Sequence, residues 1–264
     1  MADTVVVTRP LPQAQPLADR LHAEGHESMV FALLEIRPLD DDTALANALE
    51  RVQQFSLIVF VSPNAVEMAF RCRPKWPSGL TIGVVGEGSR KALEQRGVGP
   101  DVATIVSPND PDRSDSEGLL AQLDLTALRG RRALIVRGDH GRELLTNELR
   151  AAGIEVEQIA AYRRLAPAAN AERLVTLDQL LDRDAIWIIT SSEALRNLFA
   201  MSEALTRADS RTRLLQTRLL VPHPRIEETA RNLGFARIEC CGSGDERILA
   251  KLQLRQWTRP RSQP

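Results

Sequence analysis

The 264-residue sequence predicts an α/β protein, with parallel sheets covered by helices on both faces. Three observations carry that expectation. Short β-branched or apolar runs alternate with amphipathic stretches along the chain. The two halves repeat the same landmarks in the same order. At 43% hydrophobic and 26% charged residues, the chain can bury one large core or two smaller ones.

The runs that read as strands are 4–8, 28–37, 57–61, 81–85, 103–106, 133–136, 155–163, 186–190, 218–221 and 237–241. Between them, apolar residues recur every three to four positions, as in Leu45, Leu49 and Val52 or Leu195, Leu198 and Phe199, which predicts helices. Runs 28–37 and 155–163 are longer than the rest and end at basic residues near Pro38 and Pro167. Strands of that length can leave one sheet and pair as a two-stranded bridge to a neighbouring domain.

The repeat is visible in four landmarks. Arg9 and Gly25 match Arg137 and Gly153 at an offset of 128, Ser62 matches Ser191 at 129, and Gly97 matches Gly234 at 137. Each half then carries five strands and five helices, which points to duplication. A pair of similar α/β domains is expected to bind its ligand in the cleft between them.

Composition narrows the function. The chain has 34 basic and 35 acidic residues, a net charge of -1, which argues against a dedicated nucleic-acid or membrane-surface binder. Of the basic residues 31 are Arg, with Lys only at 75, 91 and 251, and most of the arginines fall on helix faces. Three cysteines cannot supply a disulfide framework in a chain this long and suggest a reducing compartment. His22 and His26 stand four apart on a predicted helix face with no third ligand beside them, so no metal is expected. The N-terminus lacks the basic and apolar regions of a signal peptide, and no apolar run reaches membrane-spanning length. A soluble, cytoplasmic protein without nucleic-acid or membrane partners is expected.

Ligands of parallel α/β sheets bind beyond the carboxyl ends of strands, at the starts of the following helices. The loops placed there are Ser62-Pro63-Asn64, Thr190-Ser191-Ser192, Gly86-Glu87-Gly88-Ser89 and Pro222-His223-Pro224-Arg225. They offer hydroxyls, backbone N–H groups and helix dipoles suited to anions, although Ser and Thr also cap helices everywhere. Arg9 and Arg137 follow matching first strands and add positive charge. The run Gly83-Val-Val-Gly86-Glu-Gly88 has the wrong spacing for a dinucleotide fingerprint, and no nucleotide-phosphate loop is present, so no nucleotide cofactor is expected. Tyr162, the only Tyr, ends a long strand beside Arg163 and Arg164. Its hydroxyl can serve as a proton donor, or the ring can serve as half-buried packing.

Taken in order, Thr8-Arg9-Pro10, Ser62-Pro63-Asn64, Gly83-Val-Val-Gly86, Arg137-Gly138, Gly153, Tyr162-Arg163 and Thr190-Ser191-Ser192 resemble the uroporphyrinogen-III synthase family over residues 4 to about 253. The resemblance implies two flavodoxin-like domains, each a five-stranded parallel sheet flanked by helices, joined by a two-stranded β-ladder. Domain 1 would be 1–36 plus 167–256, domain 2 would be 39–164, and 257–264 would form a C-terminal tail. It implies cyclisation of hydroxymethylbilane, a linear tetrapyrrole with eight carboxylates, to uroporphyrinogen III with loss of water and inversion of the last ring. No cofactor or metal is implied, and the working form would be a monomer. Tyr162 matches the family's cleft tyrosine and would assist hydroxyl departure. Arg9, Ser62, Gly86, Ser89, Arg137, Ser191, Ser192 and Arg225 would face the substrate, Arg225 from a loop that departs from the forms other members show. A two-domain cytoplasmic binding protein or sensor for an anionic small molecule remains the competing reading.

Overall fold

In the computed structural model, residues 4–110 and 115–254 are described; the expected tail lies outside them. The chain divides into two compact units, unit 1 (Met1–Glu35 and Leu165–Pro264) and unit 2 (Ile36–Arg164).

Unit 1 is built on β1 (Thr4–Val7), β2 (Glu27–Val30), β9 (Ile186–Ile188), β10 (Arg218–Val221) and β11 (Arg237–Cys240). Their order across the sheet is β11-β10-β9-β1-β2, with each strand parallel to its neighbours. Successive side chains of a strand point to opposite faces, and the core follows that alternation. Val5, Val7, Ile186 and Ile188 pack under α1 (Leu11–Ala23) and α12 (Asp245–Gln253). Val6, Trp187, Ile189 and Leu219 pack under α8 (Ala171–Leu181), α9 (Ser192–Ser202), α10 (Ser210–Leu215) and α11 (Pro224–Asn232). This is a sheet between two helical layers.

Unit 2 repeats the plan with β4 (Leu57–Phe60), β5 (Leu80–Val84), β6 (Ala103–Val106), β7 (Arg132–Gly138) and β8 (Glu155–Leu165), together with β3 (Glu35–Pro38). The order is β3-β8-β7-β4-β5-β6. Ile58, Phe60, Leu134 and Val136 face α2 (Thr43–Glu50), α3 (Pro63–Cys72) and α4 (Glu87–Gln95). Leu57, Val59, Ala133 and Ile135 face α5 (Ser116–Leu120) and α7 (Leu144–Ala151). The short α6 (Leu125–Leu128) precedes β7.

Three expectations are corrected. Run 28–37 is not one strand: β2 ends at Val30 and β3 begins at Glu35. Between them the Ala32 carbonyl accepts from the Arg173 guanidinium and the Leu33 carbonyl from Asn197 Nδ2 at 2.9 Å. Buried Phe31, Leu33 and Leu34 join the unit 1 core. Side chains from remote helices thus take the carbonyls that a continuous strand would have used. Since β3 then adds to the other sheet, the sheets hold five and six strands rather than five each. His22 and His26 do not share a helix, because α1 ends at Ala23 and Gly25 turns the chain at φ 86°.

The repeat landmarks are structural equivalents. Gly25, Gly97, Gly153 and Gly234 each follow a helix C-terminus at φ between 76° and 92°, a backbone that L side chains rarely adopt.

Candidate functional site

In each sheet a central pair of adjacent strands sends its following helices to opposite faces. In unit 2 the pair is β7 and β4, since α7 and α3 lie in different layers. In unit 1 it is β1 and β9, followed by α1 and α9. Loops that diverge in this way open a crevice at the carboxyl ends of the strands, where ligands of open α/β sheets bind. The nine residues singled out in the sequence fall into two clusters around these two positions.

The unit 2 cluster holds Ser62, Gly86, Ser89, Arg137 and Tyr162. Ser62 is the N-cap of α3, with an extended backbone; its Oγ accepts from the Ala65 N–H at 3.1 Å, and Pro63 occupies the first helical position. The same Oγ lies 2.8 Å from the Tyr162 hydroxyl. Tyr162 is 3% exposed, so its ring packs in the core while its hydroxyl reaches the strand ends. Gly86 caps α4 with an extended backbone. Ser89, in the first turn of α4, is buried, so its hydroxyl is not presented to solvent. Arg137 is also buried, and its Nη1 donates to Glu143 Oε1 at 2.6 Å. That bond holds the Glu143 carboxyl below its ordinary range.

The unit 1 cluster holds Arg9, Ser191, Ser192 and Arg225. Ser191 caps α9 through a 2.9 Å bond from the Ala194 N–H, as Ser62 caps α3. Ser192 Oγ lies 2.9 Å from Thr229 Oγ1. Thr229 spends its one proton on the Arg225 carbonyl, so Ser192 is the donor and ties α9 to α11. Arg225 is exposed in the first turn of α11, which His223 caps by accepting the Arg225 N–H on Nδ1 at 3.1 Å. Arg9 pairs with Asp245, the first residue of α12, at 2.7 Å. Beside it Thr8 is fully buried and donates to the Ile188 carbonyl at 2.7 Å, joining β1 to β9 at the strand ends.

Of the three arginines expected to face the substrate, Arg9 and Arg137 therefore already hold a carboxylate of the protein. Glu143, Asp245 and the His223 cap had no local signal, because each is recognised only through its partner. The close approach of Gly138 to the ring had no signal either: a Cβ there would lie 3.0 Å from Tyr162 Cε2. Among the described residues, no group of three His, Cys, Asp or Glu side chains could hold a metal ion, and no helix is long and apolar enough to cross a membrane.

The family model described as uroporphyrinogen-III synthase HemD matches residues 15–241. The chain belongs to the uroporphyrinogen-III synthase family. Relatives named uroporphyrinogen-III synthase from Salmonella typhimurium and Escherichia coli are 31% and 30% identical to it. Each alignment covers 94% of this chain and 98% of the relative. Crystal structures of the family's proteins from Thermus thermophilus and Helicobacter pylori share its fold. Their TM-scores are 0.55 and 0.56 at 15% and 14% identity, over 97% of this chain and 100% of each of those chains.

Proposed function

We propose that the chain cyclises hydroxymethylbilane to uroporphyrinogen III, with loss of water and inversion of ring D. As a member of the uroporphyrinogen-III synthase family it is an enzyme of porphyrin biosynthesis, a cyclising hydro-lyase. The observation that carries the reading is likeness to named synthases over 94% of the chain.

Departure of the terminal hydroxyl, driven by the pyrrole nitrogen lone pair, leaves an electrophilic azafulvene. The substituted carbon of ring D attacks it to give a spiro intermediate, which fragments and recloses with ring D reversed. Loss of the ring D α-proton restores the aromatic pyrrole. Because the substrate also closes by itself without inversion, the enzyme's main task is to hold a flexible chain folded for the inverted closure. In this reading the Tyr162 hydroxyl gives its proton to the departing hydroxyl. The helix starts at Ser62, Gly86, Ser191, Ser192 and Arg225, with Arg9 and Arg137, would hold substrate carboxylates. Ser89 takes part only if a loop movement uncovers it.

The strand orders support flavodoxin-like units. In unit 1, β2-β1-β9-β10-β11 is the 2-1-3-4-5 order of that fold, and β8-β7-β4-β5-β6 is the same order in a permuted chain. The chain passes between units near Glu35 and Arg164, within β3 and β8, which neighbour one another in the sheet and suit the proposed ladder. One copy of the chain carries both clusters, so the reading needs only a monomer, placed in the cytoplasm.

The test is to supply freshly made hydroxymethylbilane, oxidise the products and separate the uroporphyrin isomers. Type III above the enzyme-free control supports the reading; type I alone contradicts it.

A further inference from the structure

We propose that Ser62 and Gly138 are positioning residues that seat the Tyr162 hydroxyl and hold its proton for transfer. The inference rests on the reading of Tyr162 as the proton donor, and it gives Ser62 a task other than contact with substrate.

Gly138 makes room for the ring. The β7–β8 register slips after Arg137, which pairs with Ala160, so that Gly138 stands opposite Tyr162 and Ala161 is the extra residue. Such bulges re-aim a side chain next to a functional site. A Cβ at position 138 would sit 3.0, 3.1 and 3.3 Å from Tyr162 Cε2, Cζ and Oη, closer than a ring tolerates without shifting. The Asp139 N–H donates to the Tyr162 carbonyl at 2.9 Å and pins the backbone of the seat.

Ser62 fixes the hydroxyl. Its Oγ is held in place by the cap to Ala65, and the following Pro63 restricts its backbone to the extended region it adopts. A serine oxygen has two acceptor sites and one proton. The Ala65 N–H uses one acceptor site, which leaves the other, or the proton, for the 2.8 Å bond with Tyr162. When the phenol O–H breaks, its proton joins the departing hydroxyl, which leaves as water as the C–O bond breaks. The electron pair stays on the phenolate oxygen. Ser62 can then donate to that oxygen, a charge-assisted bond. The α-proton lost from ring D at the last closure returns the phenolate to phenol, so the cycle balances.

The experiment is a double-mutant cycle on type III formation. Ser62→Ala and Gly138→Ala are each measured in the wild-type and Tyr162→Phe backgrounds, with thermal melts alongside. Each should lower kcat about tenfold in the wild-type background, the size of a lost hydrogen bond to a charged group. Each should lower it less than twofold once the phenol is gone, with little change in KM in either case. Ser62→Thr, which keeps both the cap and the proton, should recover most of the rate. The alkaline limb of the kcat profile should move upward in Ser62→Ala, because the phenolate has lost its donor. Equal losses in both backgrounds, or an unmoved alkaline limb, would overturn the inference and leave Tyr162 as donor. Full turnover in Tyr162→Phe would overturn both. Should Ser62→Ala fold poorly, Gly138→Ala decides by the same comparison.

Discussion

Arg137 donates to Glu143 at 2.6 Å from a side chain that is 7% exposed, while the carboxylate it holds is 52% exposed. In unit 1 Arg9 likewise holds a carboxylate, that of Asp245, at 2.7 Å. A substrate carboxylate that uses either arginine must share it with, or displace, a resident one. Glu143 contributes stability in a definite pH window. Its folded-state pKa is depressed, chiefly by the Arg137 hydrogen bond. The contribution is therefore present above its ordinary value of 4.5 and is lost as pH falls through the lower folded value. Urea titration of Glu143→Gln should show a deficit of less than about 1 kcal/mol at pH 7, given the exposure of the group. At pH 3 the gap to wild type should be smaller. If Arg137 also binds substrate, the same variant should have a lower KM.

Tyr162→Phe removes one hydroxyl and keeps the ring. Turnover to the type III isomer should fall by about 100-fold, the low end of what a positioned acid contributes. Stability should change by only about 1 kcal/mol, the worth of one hydrogen bond. KM should stay near that of wild type. Steady-state kinetics and a denaturation curve on the same preparation check both parts, and unchanged turnover would assign Tyr162 to packing.

Ser191→Ala removes the cap of α9. A lost serine cap costs about 1 kcal/mol, which should appear as a lower melting temperature. Activity should be reduced rather than abolished, because the synthesis depends on folding the substrate over many contacts. Complete loss of activity in a fully folded Ser191→Ala protein would show a more direct role.

Burial pushes the Cys241 thiol up to about 12, and the neighbouring Cys240 adds to the shift. At pH 8 Cys241 should therefore be thiol, not thiolate, and alkylate slowly with iodoacetamide. Peptide mapping after native labelling checks this; rapid modification of Cys241 in the folded protein would contradict it.

The α/β class was legible because alternation of apolar runs with helical periodicity is a local property. The helix-end glycines were legible for the same reason, since Gly25 and Gly153 answer a conformational demand of their own turns. The break between Val30 and Glu35 was not, because the groups that hold Ala32 and Leu33 come from Arg173 and Asn197. The site shows the same division. Ser62 and Ser191 announce themselves as caps before apolar helices, whereas the partner of Arg9 lies 236 residues away. Gly138 reads as an ordinary strand end until the ring of Tyr162 is placed on it.

The central claim is most directly tested by titrating the chain into a fixed amount of hydroxymethylbilane and following the isomer ratio of the oxidised products. The account predicts a type III fraction that rises with protein concentration and displaces the spontaneous type I product, with a shallower rise for Tyr162→Phe. A product mixture that stays type I at every concentration of folded protein would contradict it.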